Sequence, residues 1–594
     1  MMTYRAPVED ILFAMEHAGG LNTGLESGLY ADLADGFART IVEQAARFAE
    51  DVLAPINRAG DLNPPKLADG VVTTSPGWRE AYAHWIEGGW AGLTAPAAHN
   101  GMALPSLLQT ACLEMWSAAN MAFMLCPILS AGAIDALERH GSSELVSRYL
   151  PKIASGEWTA TMNLTEPGAG SDLGALRAKA ERAEDGTYRL YGQKIFITYG
   201  EHDMTDNIVH LVLARLPDAP AGTRGISLFL VPKFLINADG SLGERNDVRA
   251  AGLEHKMGIH ASPTCTMIFG DKGGAIGWLV GEENRGLNCM FTMMNSARLA
   301  TGLQGVSIGD RAYQQALGWA RERKQGRPPG WQGEGMAPIA AHADVQRMLI
   351  TMKALTASAR AICYMTANAI DMANRAESDD QRKQAQARAS LLTPIAKAFS
   401  TDIGNEVASL GVQVHGGMGF IEETGAAQHM RDIRIAAIYE GTNGIQAIDL
   451  VTRKLTMEDG AVMAREIADM RETVRQAASS NEPDFGRMAD KLRDTLDALE
   501  RASAWLLKTL PQSPAQAMAG ATSYLRLFAM ARGGTALANL AIAARGGQAR
   551  HGSHIAIARF FAENVCNGAP ALEDAICQGA DSSLALGHEF LEGA

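Results

Sequence analysis

"GTYRLYGQKIFIT", Gly186 to Thr198, decides the fold of this 594-residue chain. It follows a glycine turn signal with aromatic and β-branched residues, the composition of a strand. "NIVHLVLARL" (Asn207 to Leu216) and "GISLFLVPKFLI" (Gly225 to Ile236) repeat the pattern between Gly, Pro and Asp breaks. These runs predict a mainly antiparallel sheet in the middle of the chain. On the N-terminal side, "LADGFARTIVEQAARFAEDVLAPI" and "TACLEMWSAANMAFMLCPIL" place apolar residues at helical spacing, with Pro55 and Pro127 expected as stops. Helical periodicity returns at about Asn288, through "MMNSARLATGLQGVSIGDRAYQQALGWARERKQ" and "ADVQRMLITMKALTASARAICYMTANAIDMA". From about Met457 a further helical stretch follows, broken by "LPQSPAQ". The expectation is a mainly α protein with a central β domain: an arm over 1–36, helices over 37–157, the β domain over 158–281, a helical bundle over 282–455 and an appended helical domain over 456–594.

Composition narrows the functional classes. The net charge of −13 opposes loose binding to nucleic acid or anionic lipid. Seven cysteines without a C-x-x-C pair argue against a zinc ribbon or a disulfide frame and suit a reducing compartment. No secretory h-region and no membrane-spanning apolar run is read, so a cytoplasmic protein without membrane insertion is expected. G-x-G-x-x-G after a strand, the P-loop and H-E-x-x-H are missing from the sequence, and no nucleophile elbow is read, since the G-x-S-x-G match at Gly305 to Gly309 falls inside a helical run. "HGSH" (His551 to His554) lacks a third ligand nearby and reads as a polar turn, so no metal is expected.

What remains is a series of polar, glycine-rich turns: "NLTEPGAGSDLG" (Asn163 to Gly174), "KIFITYG" (Lys194 to Gly200), "QVHGGMGF" (Gln413 to Phe420) and "AAIYEGTNGIQ" (Ala436 to Gln446). The last places one carboxylate, Glu440, between an apolar run and a turn. Taken alone it reads as a solvated loop residue or part of a helix cap, the commoner case for a Glu beside a turn, or as a general base whose pKa is raised by apolar neighbours.

In this order, "LTEPGAGSD", "KIFIT", "GGMGF" and "YEGTNGIQ" resemble the acyl-CoA dehydrogenase family of flavoenzymes over roughly residues 40 to 455. The resemblance implies a helical bundle, an antiparallel β domain and a four-helix bundle, with FAD as cofactor and an acyl-CoA as substrate. It implies that Met162, Leu164 and Thr165 face the flavin pyrimidine, that Phe196 covers the ring where many relatives have Trp, and that the Thr198 hydroxyl reaches toward flavin N5. Arg323, Gln413, Gly416, Gly417 and Thr442 are implied at the cofactor, with Gln413 and its glycines serving a neighbouring subunit, hence a homodimer. Arg323 stands in an E-R-K motif that lacks the family's aromatic. Ser171, Asn295, Arg298 and Gly441 are implied at the acyl-CoA, and Ala297 fills the position where one branch keeps its acid, which leaves Glu440 as base.

The implied reaction is α,β-dehydrogenation to a trans-2-enoyl-CoA, with the carbonyl polarised by the Glu440 backbone N–H and with electrons passed to an electron-transfer flavoprotein. An oxidase using oxygen is the enzymatic alternative. A flavin-bearing nucleic-acid binder is the alternative from another class, opposed by the acids of the last domain. The N-terminal arm and the appended helices resemble the long bacterial branch, some of whose members act on 3-(methylthio)propanoyl-CoA in dimethylsulfoniopropionate breakdown; another short or medium acyl-CoA is the other expectation.

Overall fold

The structure, a computed structural model, describes residues 4–545, 552–585 and 587, the side chain of Asn295 excepted. Two compact units emerge: Arg47–Pro105 with Ala119–Ala297, and Met1–Ala46 with Ser106–Ala118 and Arg298–Ala594.

The first unit carries the strands. A hairpin that the sequence reading did not anticipate pairs β1 (Lys66–Ala68) with β2 (Val71–Thr73). The main sheet uses β3 (Thr159–Asn163), β4 (Lys179–Arg182), β5 (Tyr188–Thr198), β6 (Ile208–Arg215) and β7 (Ile226–Pro232). A second small hairpin, β8 (Phe234–Ile236) and β9 (Leu242–Arg245), precedes β10 (Val248–Leu253), β11 (Thr264–Phe269) and β12 (Ala275–Val280). The sheet order is β10-β11-β5-β12-β7-β6-β3, with β4 beside β5. Pairing is antiparallel apart from β3 and a single position of β4, which run parallel to β6. The sheet is thus mainly antiparallel, as expected.

Period two sorts the apolar side chains of β6 and β7 into two cores. Val209, Leu211, Leu213, Ile226, Leu228 and Leu230 join Tyr149, Leu150 and Ile153 of the Ser143–Ala154 helix on one face. Val212, Ala214, Phe229 and Val231 join Ile197, Cys265 and Met267 on the other. Both strands are therefore buried on two sides, which explains their near-continuous apolar runs.

The second unit is helical. Helix Ala343–Arg375 lies against Asp379–His415, whose start is fixed by a capping box between Ser378 and Gln381. Gly302 and Gly305 of the Gly286–Glu322 helix bring it backbone-close to the same partner: a Cβ would sit 2.2 Å from the Ala396 carbonyl oxygen and 2.0 Å from that of Ser400. The appended segment supplies helices Ala461–Ser479, Met488–Thr509, Pro514–Ala519, Ala521–Ala543, Gly552–Phe560 and Ala569–Gln578.

Both proline stops are corrected. Pro55 lies in the first turn of helix Ala54–Leu62, which follows a π-helical turn over Ala49–Leu53 without a break; that wider turn accommodates the bond the proline cannot make. Pro127 lies inside Ser106–His140, whose break falls at Asn120 (φ −158°, ψ 88°); there the Asn120 side chain accepts from Phe123 N and restarts the helix. That same helix corrects the expectation of no membrane-length apolar run, although 83% of its apolar window is buried within the protein. His551 lies outside the described residues; His554 is helical rather than in a turn and stacks on Phe13.

Candidate active site

In the strand-bearing unit, the register of β11 on β5 slips between Cys265 and Met267, so Ile195 and Phe196 oppose one residue. This is a β-bulge, a device that re-aims a side chain. Phe196 takes φ +61° there and stands 58% exposed, an aromatic face turned outward between the buried Lys194 and Ile197. The bulge also frees Ile195 N–H, which donates to the Thr165 carbonyl at 2.9 Å and so ties β5 to the turn after β3.

Lys194 completes that tie. Wholly buried, its Nζ donates to the Leu164 carbonyl (2.9 Å) and to Glu166 Oε1 (2.8 Å). Glu166 in turn accepts from Arg177 N (2.6 Å) and Ala178 N (3.0 Å). Burial pulls the ammonium down to about 8, against the Glu166 charge that holds it up. Thr165 and Thr198 are half-buried, and their hydroxyls make no hydrogen bond among the described residues. Met162 is buried in β3 within the apolar core, and Leu164 packs on the same cluster. Ser171 is exposed. An outward aromatic beside two uncommitted hydroxyls and a pinned backbone turn fits the flat, polar-edged ring of a flavin.

In the helical unit, Glu440 has φ +54° and Gly441 φ +84°, so two successive residues occupy the left-handed region. Glycine is required at 441: a Cβ would also lie 2.7 Å from Gln446 Nε2, which donates to the Glu440 carbonyl. Thr442 caps the short helix Asn443–Asp449 by accepting from Ile445 N. The turn is moored to Asp379–His415 through Asn443, whose Nδ2, with two protons to give, lies 2.7–3.1 Å from the acceptors Ala398 O, Thr401 Oγ1 and Asp402 Oδ1. On the other side, Tyr439 hydrogen-bonds the buried Gln304.

The Glu440 carboxylate itself makes no hydrogen bond or ion pair among the described residues. Burial raises its pKa, opposed by the charges of Arg298 and then Lys397. Arg298 is equally uncommitted: its Nε is buried without a partner, and desolvation lowers its pKa against the pull of Asp449 and Glu440. Arg298 lies one turn before Gly302, whose close approach to Ala396 and Lys397 explains why the two cations face one carboxylate.

Arg323 is exposed just beyond Gly286–Glu322, and Gln413 is exposed at the end of Asp379–His415. Gly416 (φ +64°) and Gly417 follow, both with open space where a side chain would stand. The Asn295 side chain lies outside the described residues. Sequence reasoning missed Lys194, Lys397 and Asn443; the available signal was a lysine inside an apolar helical run, "LLTPIAKAF", where a solvated charge is out of place.

Fold and site together define a flavin-dependent acyl-thioester oxidoreductase. Four family models match in order: the acyl-CoA dehydrogenase N-terminal domain (residues 38–157), middle domain (161–272) and C-terminal domain (284–456), then an acetyl-CoA dehydrogenase C-terminal-like domain (466–587). The chain belongs to the acyl-CoA dehydrogenase family, whose cofactor is FAD. It is 44% identical to the 3-methylmercaptopropionyl-CoA dehydrogenase of Ruegeria pomeroyi, covering 98% of this chain and 99% of that one. Caenorhabditis elegans ACDH-11 in complex with C11-CoA shares the fold (TM-score 0.76, 19% identity, 91% and 89% of the two chains). So does an acyl-CoA dehydrogenase of Bacillus anthracis complexed with FAD (TM-score 0.74, 20% identity, 91% and 88%).

Proposed function

We propose that this acyl-CoA dehydrogenase oxidises 3-(methylthio)propanoyl-CoA, or a short or medium acyl-CoA of similar size, with Glu440 as the base. The observation that carries the reading is the state of Glu440: a strained backbone, a carboxylate with no partner, a raised pKa and two facing cations. A carboxylate held this way is poised to take an α-proton near neutral pH. Phe196, Thr165 and Thr198 would hold the flavin ring, with Leu164 and Met162 behind them. Arg298 would pair with the nucleotide portion of the CoA. FAD supplies the acceptor for the two electrons that leave with the β-hydrogen. Glu440 takes the remaining proton, and the Glu440 backbone N–H would stabilise the charge that builds on the carbonyl oxygen.

The substrate assignment is supported by the 44% identity over nearly the whole length of a relative named for that thioester. Reoxidation by an electron-transfer flavoprotein, a homodimer in which Arg323, Gln413, Gly416 and Gly417 meet a neighbour's cofactor, Ser171, Asn295, Gly441 and Thr442 at the ligands, the five-part domain division and a cytoplasmic location belong to the same reading. Anaerobic flavin bleaching with a panel of straight, branched, aromatic and methylthio-substituted acyl-CoAs tests it. The methylthio thioester should bleach the flavin fastest, and Glu440→Gln should slow bleaching by ~10²–10⁴-fold while keeping FAD and acyl-CoA bound. Rapid bleaching by the Gln variant would remove Glu440 from the chemistry. Peroxide formed in air without an added acceptor would replace the flavoprotein partner by oxygen.

A further inference from the structure

We infer that Lys397 is the positioning residue of the Glu440 turn, tethering it by hydrogen bonds and holding a positive charge toward the carboxylate. The inference rests on the reading of Glu440 as base.

Lys397 has no exposed surface at all, although it sits in the middle of the Asp379–His415 helix. A lysine in such a place costs stability unless every proton finds an acceptor. Its Nζ donates to the Gly441 carbonyl and to Asn443 Oδ1, each at 2.8 Å. Both acceptors belong to the turn that presents Glu440, and neither bond is made within the lysine's own helix.

The tether is directional. Gly441 sits at φ +84° directly after Glu440 at +54°, a conformation that surrounding structure must enforce. The Lys397 ammonium grips the carbonyl of that strained pair, while Asn443 Oδ1, its amide fixed by the acceptors gathered around Nδ2, supplies the second acceptor.

The charge matters as much as the bonds. The groups facing Glu440 are Arg298 on Gly286–Glu322 and Lys397 on Asp379–His415, with Tyr439 beside it; Asp402 faces Lys397, and Asp449 and Arg453 face Arg298. Arg298 is the cation with uncommitted donors, so a ligand would engage it. Lys397 is the cation already held by two bonds to the turn, so its charge stays toward Glu440 whether or not a ligand is bound. Burial draws the Lys397 ammonium down to about 8, against the Glu440 and Asp402 charges that hold it up.

The test uses the FAD-loaded full chain with Lys397→Met and Glu440→Gln. Amide exchange across residues 440–446 should quicken in Lys397→Met, with flavin content unchanged. The rising limb of anaerobic flavin reduction against pH should move up by about one unit as the carboxylate loses a cation, so reduction below the limb should slow about tenfold. KM should change by less than about threefold, since Arg298 is untouched. If Lys397→Met accumulates poorly, Lys397→Gln, which keeps an amide donor and loses the charge, should show the same limb shift with slower amide exchange than Met. Turn exchange and limb both at wild-type values in the lysine variant would overturn the inference. Full activity in Glu440→Gln would instead overturn the base assignment, and the exchange measurement would still report on the tether alone.

Discussion

Phe196 is a bulky residue held where L-residues rarely stay, at φ +61° with its ring in the open. Such strain is worth about 1–3 kcal/mol and persists where function requires it. Phe196→Gly should therefore leave the apoprotein as stable as wild type or up to about 1 kcal/mol more so, while weakening FAD markedly. Thermal midpoints of the apoprotein and an FAD titration check both halves; unchanged FAD affinity would show that the ring covers nothing. At Arg298, a desolvated charge-assisted contact is worth about 1.5–3 kcal/mol. Arg298→Ala should raise KM by ~10- to 100-fold with kcat less affected, and steady-state kinetics with the best thioester decides it. Phe196 and Arg298 could be nominated from sequence because each sits in a short motif. Lys397 and Lys194 were not, since their meaning lies in carbonyls 44 and 30 residues away in sequence.

The tie between β5 and the turn after β3 is a property of elements rather than of single side chains. Lys194 and the bulged Ile195 N–H pin adjacent carbonyls of that turn, and the Glu166 carboxylate accepts from the same ammonium and from the Arg177 and Ala178 N–H groups. Lys194→Met leaves Glu166 buried against two N–H groups only, and losing one partner of a buried pair costs about 3–5 kcal/mol. The variant should purify with less FAD per chain than wild type, and adding Glu166→Gln should recover part of the lost stability. Denaturant midpoints of the two singles and the double, read as a cycle, would expose an absence of coupling. Strand assignments at this scale were legible because β6 and β7 are apolar on both faces and β5 is rich in aromatic and β-branched residues. The bulge was not, because alternation along β5 says nothing of the register that β11 imposes. The proline misreadings have the same origin: Asn120, a good helix restart, outranks Pro127 seven residues later.

Across the helical unit, the appended domain is held to the bundle by a buried charge cluster rather than by apolar stripes alone. Arg532, with no exposed surface, donates to Glu466 (2.9 Å) and Asp469 (2.7 Å), and Arg388 of Asp379–His415 donates to Glu466 at 2.9 Å. The helical character of the segment was plain from sequence, but an arginine inside "LRLFAMARGG" carried no sign of its partner 66 residues earlier. Although burial opposes it, the pull of Arg388 and Arg532 brings the Glu466 carboxyl down from 4.5 to about 2. A depressed folded-state pKa adds stability above the unfolded value, and that stability is lost as pH falls through the folded one. The span corresponds to about 3 kcal/mol. Glu466→Gln should therefore unfold at lower denaturant than wild type by that amount at pH 6–7, with the gap narrowing below about pH 4.5 and vanishing toward pH 2. Urea titrations of both proteins from pH 7 downward, for as long as the folded chain persists, trace the gap directly. A gap of constant size across that range would mean that Glu466 contributes shape and hydrogen bonds to the interface but no charge, and the cluster would then not be what fastens the appended helices.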